Sequence, residues 1–260
     1  MKNKLYGLVQ KIIASYTGEK GISDMWKAPV MAAIPADHPQ LALIKQAVSE
    51  DHLLPADLLA SAGSVLVMYI PFTEKIVKSN IKGEAASEDW AKAYVYTNEL
   101  LNRITDELSL DLKRSGFEAE TIKATSNFSE KTLMSFWSHR HFAKIAGLGS
   151  FGINNMLITS HGCCVRFTSL VTNASCRELG FTVSGGVDEE KCLNKIDSSA
   201  CGLCLGKCPA RAYTEKGAFD RQKCYALCLK NAGAFRHLGL ADVCGKCLVG
   251  LPCSVRDPSQ

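Results

Sequence analysis

Nine of the twelve cysteines in this 260-residue chain fall between Cys192 and Cys253. Thiols packed this densely bridge, hold metal, or sit as small hydrophobes, and each use leaves its own spacing. The compact run is Cys201-x2-Cys204-x3-Cys208-Pro209, with Cys192 nine residues ahead of it. A second set follows: Cys224, then Cys244-x2-Cys247, then Cys253. A C-x2-C pair places two sulfurs on one tight turn, facing one centre. A cysteine three residues further on, followed by proline, leaves that turn and can reach another.

Bacterial two-cluster ferredoxins run C-x2-C-x2-C-x3-C-P, and their fourth cysteine crosses to the other cluster. Here the first spacer is stretched to eight residues and the rest, through Cys208-Pro209, is kept. The spacing predicts two [4Fe–4S] clusters. By the crossing rule, Cys192, Cys201, Cys204 and Cys253 hold one, and Cys208, Cys224, Cys244 and Cys247 hold the other. Cys228 lies one helical turn after Cys224 and could take its place. A zinc ribbon built from Cys201, Cys204, Cys244 and Cys247 is the competing reading, but it gives Cys192, Cys208, Cys224 and Cys253 no role. A disulfide framework belongs to short secreted chains, and no signal-peptide run opens this one.

The net charge of +4 and a pI near 8.4 fall short of a nucleic-acid footprint. No apolar run reaches the ~18 residues that suggest a membrane span. A cytoplasmic protein is expected, where reduced thiols can take iron.

Ahead of the cysteines, periodicity predicts helices over 4–16, 39–50, 57–63, 86–115 and 130–146, with 17–37 a loop. Strands are predicted over 64–71, 117–124, 155–160 and 165–172. The composition shifts near residue 186, after a loop carrying Gly180, Gly185 and Gly186, so the expected division is 1–185 and 186–260.

Gly147-Leu148-Gly149-Ser150-Phe151-Gly152 matches G-x-G-x-x-G in letters only. A dinucleotide fingerprint leaves a strand and opens a helix, whereas this one leaves a helix and leads through Asn154 and Asn155 into a strand. The glycines are either a helix stop or a surface that lets a flat cofactor touch backbone.

The phrases AGLGSFGINNMLIT and HGCCVRFTSLVTN, followed by a cysteine region ending CGKCLVGLPC, resemble epoxyqueuosine reductase and the related reductive dehalogenases. The resemblance covers roughly residues 55–255. It implies an α/β (α+β) nitroreductase-like sandwich followed by a small ferredoxin-like two-cluster domain. It further implies a corrinoid (cobalamin) in a cleft lined by Gly147, Leu148, Gly149, Gly152, Asn154 and Arg166, with electrons arriving through the clusters from a low-potential donor. A flavin is the less favoured occupant. An electron carrier or corrinoid-protein reactivating module without an organic cofactor is the alternative, as is a true epoxyqueuosine reductase-type enzyme.

The acid such enzymes use does not stand where the family places it. No Asp lies between Asp111 and Asp188, and no Tyr between Tyr96 and Tyr213. The titratable groups of that stretch include His139, His141, His161, Cys163 and Cys164, none at the family's acid position, so no catalytic residue is assigned. The sequence ends seven residues after Cys253, where full-length epoxyqueuosine reductases carry a helical-repeat tail associated with tRNA. Electron transfer to a corrinoid or another acceptor is therefore expected, rather than action on tRNA.

Overall fold

The structure is a computed structural model that describes residues 1–125, 127–182, 189–214 and 218–260. It is an α+β fold organised on a four-stranded antiparallel sheet. The strands are β1 (Val30–Pro35), β2 (Ser64–Pro71), β3 (Ala119–Thr121) and, further along, β6 (Val165–Thr172), in the order β1-β2-β6-β3. A two-stranded ribbon, β4 (Ser150–Phe151) with β5 (Leu157–Ile158), stands apart from it.

All eight residues of β2 are buried, which explains its unbroken apolar run in an antiparallel setting. Leu66, Met68 and Ile70 face one side, against Leu5 and Val9 of the helix Lys2–Lys20 and Leu100, Ile104 and Leu108 of the helix Glu88–Arg114. Val65, Val67 and Tyr69 face the other, with Trp137, Phe142 and Phe167. The sheet is thus covered on both faces. β2 and β6 pair from Ser64↔Thr172 to Pro71↔Val165, which brings the end of β2 beside the turn entering β6.

Strands β2 and β6 match their expected limits. The loop expected over 17–37 instead contains β1, a six-residue edge strand ending in Pro35. Proline is tolerated at an edge, and here Pro29 and Pro35 bracket a short segment in which Ala32 and Ala33 weaken the strand signal of Val30 and Ile34. The helix expected over 130–146 shrinks to His139–Ile145. Upstream, the Ser135 hydroxyl donates to Asn127 Oδ1 at 2.6 Å and accepts from the Trp137 N–H at 3.3 Å, local bonds that compete with a helical ladder.

The cysteine region forms short helices and the longer Arg221–Ala234. Its described residues contain no strand beyond an isolated Tyr213–Phe219 bridge, so no ferredoxin-like sheet is formed among them. The expected boundary at 185/186, with Gly185 and Gly186, lies outside the described residues. The described part of the region is stitched to the end of the sheet. Cys163 and Cys164 donate their backbone N–H groups to the carbonyls of Cys253 (2.8 Å) and Ser254 (3.1 Å). Buried Lys246 donates to the carbonyls of Asn80 and Lys82, both at 2.7 Å. Among the described residues no helix is long and apolar enough to cross a membrane.

Candidate cysteine centres and the adjoining cavity

Two groups of four cysteines come together. Cys192, Cys201, Cys204 and Cys253 line one small cavity, closed by Gly152, Asn154 and Pro258. Burial first, and then the like charges of Cys253, Cys192 and Cys201, push the Cys204 thiol up to about 12. Burial also leads in raising Cys247 to about 12, and the like charges it meets are those of Cys224, Cys244 and Cys208. Cys204 and Cys247 therefore each have as charged neighbours the three that the crossing rule assigns to them, while Cys253 also hydrogen-bonds Cys163. Thiols raised this way are stable as neutral groups or as ligands to a cation.

Cys228 hydrogen-bonds Cys224 from one turn along the helix, a contact that lowers Cys224 to about 7. Cys244 and Cys247 both meet the charge of Cys224. Cys228 meets the charges of Cys224, Cys244 and Asp242.

Among the described residues, no three or more His, Cys, Asp or Glu side chains close on a point as ligands of a single ion would. A zinc ribbon requires that closure, with sulfurs at about 2.3 Å from one metal. Thiolates around a four-iron cube stand further apart, because each bonds a different iron. Cys201 and Cys204 share their cavity with Cys192 and Cys253, not with the Cys244 and Cys247 that a zinc ribbon would add.

Beside these groups, a cavity of about 390 Å³ opens between the entry to β6 and the loop 243–248. Its walls include Trp90, Tyr94, Phe128, Trp137 and Phe167, with Arg140 and Arg166 supplying charge. Of the six residues expected to cradle a corrinoid, Arg166 lines this cavity; Gly147, Leu148, Gly149, Gly152 and Asn154 do not. Gly147 (φ 71°) ends the helix His139–Ile145. There Gly147 N–H donates to Lys144 O and Leu148 N–H to Ala143 O, the paired bonds of a Schellman stop. Gly149 does permit close approach, but of the chain to itself: a Cβ there would lie 2.2 Å from the Ile158 carbonyl oxygen. Gly152 and Asn154 wall the first cysteine group, and Asn154 Nδ2 donates to Cys247 O at 2.9 Å. Gly152 and Asn154 thus stand against the cysteine centres, Gly147 ends a helix, and Gly149 packs on the neighbouring strand.

Sequence reasoning missed three members of this site. Tyr94 reaches the cavity from the long helix, donating its hydroxyl to Asp242 Oδ1 at 2.8 Å. Arg140 donates to Asn155 O at 2.6 Å, and burial leads in lowering it to about 10. Tyr213 donates to Asn154 O at 3.0 Å with its oxygen 3.8 Å from Cys247 Sγ. Tyr94 and Asp242 lie far outside the stretch where an acid was sought. The helical period around Tyr94 marks it as facing inward, but not what it faces.

His139 is structural. Trp137 Nε1 donates to Ser169 Oγ (2.9 Å), whose hydroxyl donates to His139 Nδ1 (2.8 Å); Nε2–H then donates to Lys123 O (3.1 Å). This chain of bonds requires the neutral ring, and burial lowers its pKa to about 4. The unfolded chain, with histidine near 6.5, binds more protons between about pH 4 and 6.5. His139's contribution is therefore complete above about 6.5 and lost as pH falls toward 4, worth roughly 3 kcal/mol. His139→Gln is expected to show a shallower fall in urea midpoint between pH 7 and 5 than the parent. Equal slopes would contradict the assignment. His161 Nδ1 meets Tyr69 Oη at 3.0 Å, and Cys164 Sγ donates to Leu248 O at 3.2 Å.

No family model matches this sequence, and no curated protein does. Solved structures match. An epoxyqueuosine reductase crystallised with an epoxyqueuosine-modified tRNA-Tyr stem loop gives a TM-score of 0.54 at 16% identity, covering 96% of this chain and 66% of its own. The epoxyqueuosine reductase of Streptococcus thermophilus gives 0.53 at 19%, covering 100% and 70%. A catabolic reductive dehalogenase gives 0.56 at 16%, covering 88% and 30%. The chain has their fold. It spans about two thirds of the reductases' length and under a third of the dehalogenase's. Both kinds of neighbour are oxidoreductases by name, and both are the kinds that the AGLGSFG and CGKCLVGLPC phrases resemble.

Proposed function

We propose that this protein is an iron–sulfur oxidoreductase that takes electrons from a low-potential donor through two [4Fe–4S] clusters. The electrons are delivered to an acceptor in the 390 Å³ cavity. The observation that carries this reading is the sorting of eight cysteines into two groups that follow the crossed pattern. The ligands are Cys192, Cys201, Cys204 and Cys253 for one cluster, and Cys208, Cys224, Cys244 and Cys247 for the other. Cys224 is taken as the ligand, with Cys228, one helical turn on and also near Cys244, as the alternative. When bound, such clusters supply one-electron transfer at potentials set by cluster type, exposure and hydrogen bonds to sulfur.

The loop residues Val243, Gly245 and Leu248, which flank Cys244 and Cys247, also wall the cavity. The second centre is thus the one placed to deliver. Tyr94 supplies the proton for a reduction there: its hydroxyl is held by Asp242 and its ring lies 4.5 Å below the Arg166 guanidinium. This places a group able to act as an acid in a site where none was expected from residues 112–187. A positioned acid typically contributes ~10²–10⁴-fold. A corrinoid is the acceptor suggested by the fold likeness; of the residues expected to hold it, Arg166 lines the cavity, and no step is assigned to it.

Anaerobically reconstituted protein should be brown, bleach with dithionite, and show the signals of two interacting reduced clusters by electron paramagnetic resonance. Reoxidation by a cavity acceptor should be slowed in Tyr94→Phe only for acceptors that take up a proton. Equal slowing for a pure one-electron acceptor would remove Tyr94 from the proton's path.

A further inference from the structure

One phrase occurs twice in the cysteine region. Gly206-Lys207-Cys208 and Gly245-Lys246-Cys247 each set a lysine one residue ahead of a cysteine, and both cysteines belong to the second group. Lys246 is buried, and its ammonium donates to the carbonyls of Asn80 and Lys82. Lys207 is half-buried and donates to Val249 O at 3.2 Å. Lys246 meets the charges of Lys207 and of Cys244, and its backbone N–H bonds the Cys244 sulfur. Among the described residues neither lysine has a carboxylate within ion-pair distance; both are held by main-chain carbonyls. Carbonyls orient an ammonium but leave its charge standing, and two like charges side by side repel. The first group is furnished differently. Lys191 and Lys195, which flank Cys192, pair with Asp257 and with Glu190 (3.6 Å), and Glu190 Oε1 accepts the Cys192 N–H at 2.9 Å.

We infer that Lys207 and Lys246 are the counter-charge of the second centre and hold it at a higher reduction potential than the first. Reduction adds one negative charge to a centre and moves no proton. A cation held nearby, in a site of low dielectric, favours that added charge, and an N–H donated to a ligand sulfur acts in the same direction. At the first centre the lysines are already neutralised by Asp257 and Glu190. Electrons therefore collect at the centre whose loop walls the cavity. The inference rests on the reading of two clusters, and it orders them.

Its test is an anaerobic redox titration of the reconstituted full chain with dithionite, read by electron paramagnetic resonance, with iron and sulfide measured on each sample. The parent should reduce in two one-electron steps. Lys246→Met should lower the upper step so that its reduction constant falls about tenfold, or about 59 mV for one electron, and leave the lower step in place. Lys246→Arg, which keeps the charge, should restore the upper step. Lys207→Met should move the same step by less, because Lys207 is the more exposed of the two, and it carries the test if Lys246→Met fails to fold. Lys195→Met is the control and should move neither step as far, since Glu190 already answers that charge. A parent that reduces in one unresolved step, an unmoved upper step in the methionine variants at full iron content, or a shift of the lower step instead would overturn the inference and leave the clusters standing. A parent that takes up no iron would defeat the cluster reading, and this inference with it.

Discussion

Replacing Cys201 and Cys204 together by alanine is expected to remove about half the iron, whereas replacing Cys204 and Cys208 together removes nearly all of it. The two pairs differ little in spacing, four residues against five from end to end, and both lie in the same short segment. What separates them is where the sulfurs stand. Cys204 has Cys192, Cys201 and Cys253 as its charged neighbours, while Cys208 is a neighbour of Cys247. A cluster that loses one of four thiolates is exposed and labile, so each pair reports how many clusters it serves. Iron and sulfide analysis after anaerobic reconstitution reads the outcome. Half the iron retained in Cys204→Ala/Cys208→Ala would mean that the compact run holds one cluster without crossing.

Gly162→Ala is expected to destabilise the protein by roughly 3 kcal/mol, combining a left-handed backbone with overpacking. Gly162 has φ 79°, and a Cβ on it would lie 2.5 Å from both Ser254 C and Val255 N, and 2.6 Å from Cys253 O. All three are backbone atoms, and they carry the two bonds that tie Cys163 and Cys164 to the tail. They cannot step aside without moving Cys253. The melting temperature should fall by about 6–12 °C, and the centre containing Cys253 should lose iron first. Gly83→Ala is the control: it has a similar φ of 73° with nothing within 4 Å of an added Cβ, so it should cost only the backbone strain, about 1–2 kcal/mol. Equal losses in the two variants would show that the contact with the tail is not what makes Gly162 necessary.

The parts of this protein legible in its sequence are those governed by local spacing or by burial on both faces. The juxtaposition of Cys192, Cys201, Cys204 and Cys253 was legible because their spacing follows the crossed pattern. Strand β2 is a largely apolar eight-residue run, and β6, although it carries Arg166, Thr168, Ser169 and Thr172, is rich in β-branched and aromatic residues; the limits of both were read to the residue. The cavity was not legible, because it is assembled from segments distant in the chain. Tyr94 comes from the long helix, Arg140 and Trp137 from the segment before the glycines, Arg166 from β6, and Val243 from the cysteine region. The glycine segment was legible as needing close approach, but the approaching partner is Ile158 on the neighbouring strand, which no local pattern announces. Gly152 and Asn154, expected as cofactor contacts, occupy a turn that lines the small cavity of Cys192 and Cys201, a placement that only the packing of distant segments reveals.

The most direct measurement is the metal content of the unaltered protein, purified and reconstituted without oxygen. Two cubane clusters on the two cysteine groups predict about eight iron and eight acid-labile sulfide per chain, with no bound zinc. One zinc and no iron per chain would contradict the account and return Cys201, Cys204, Cys244 and Cys247 to a structural ribbon.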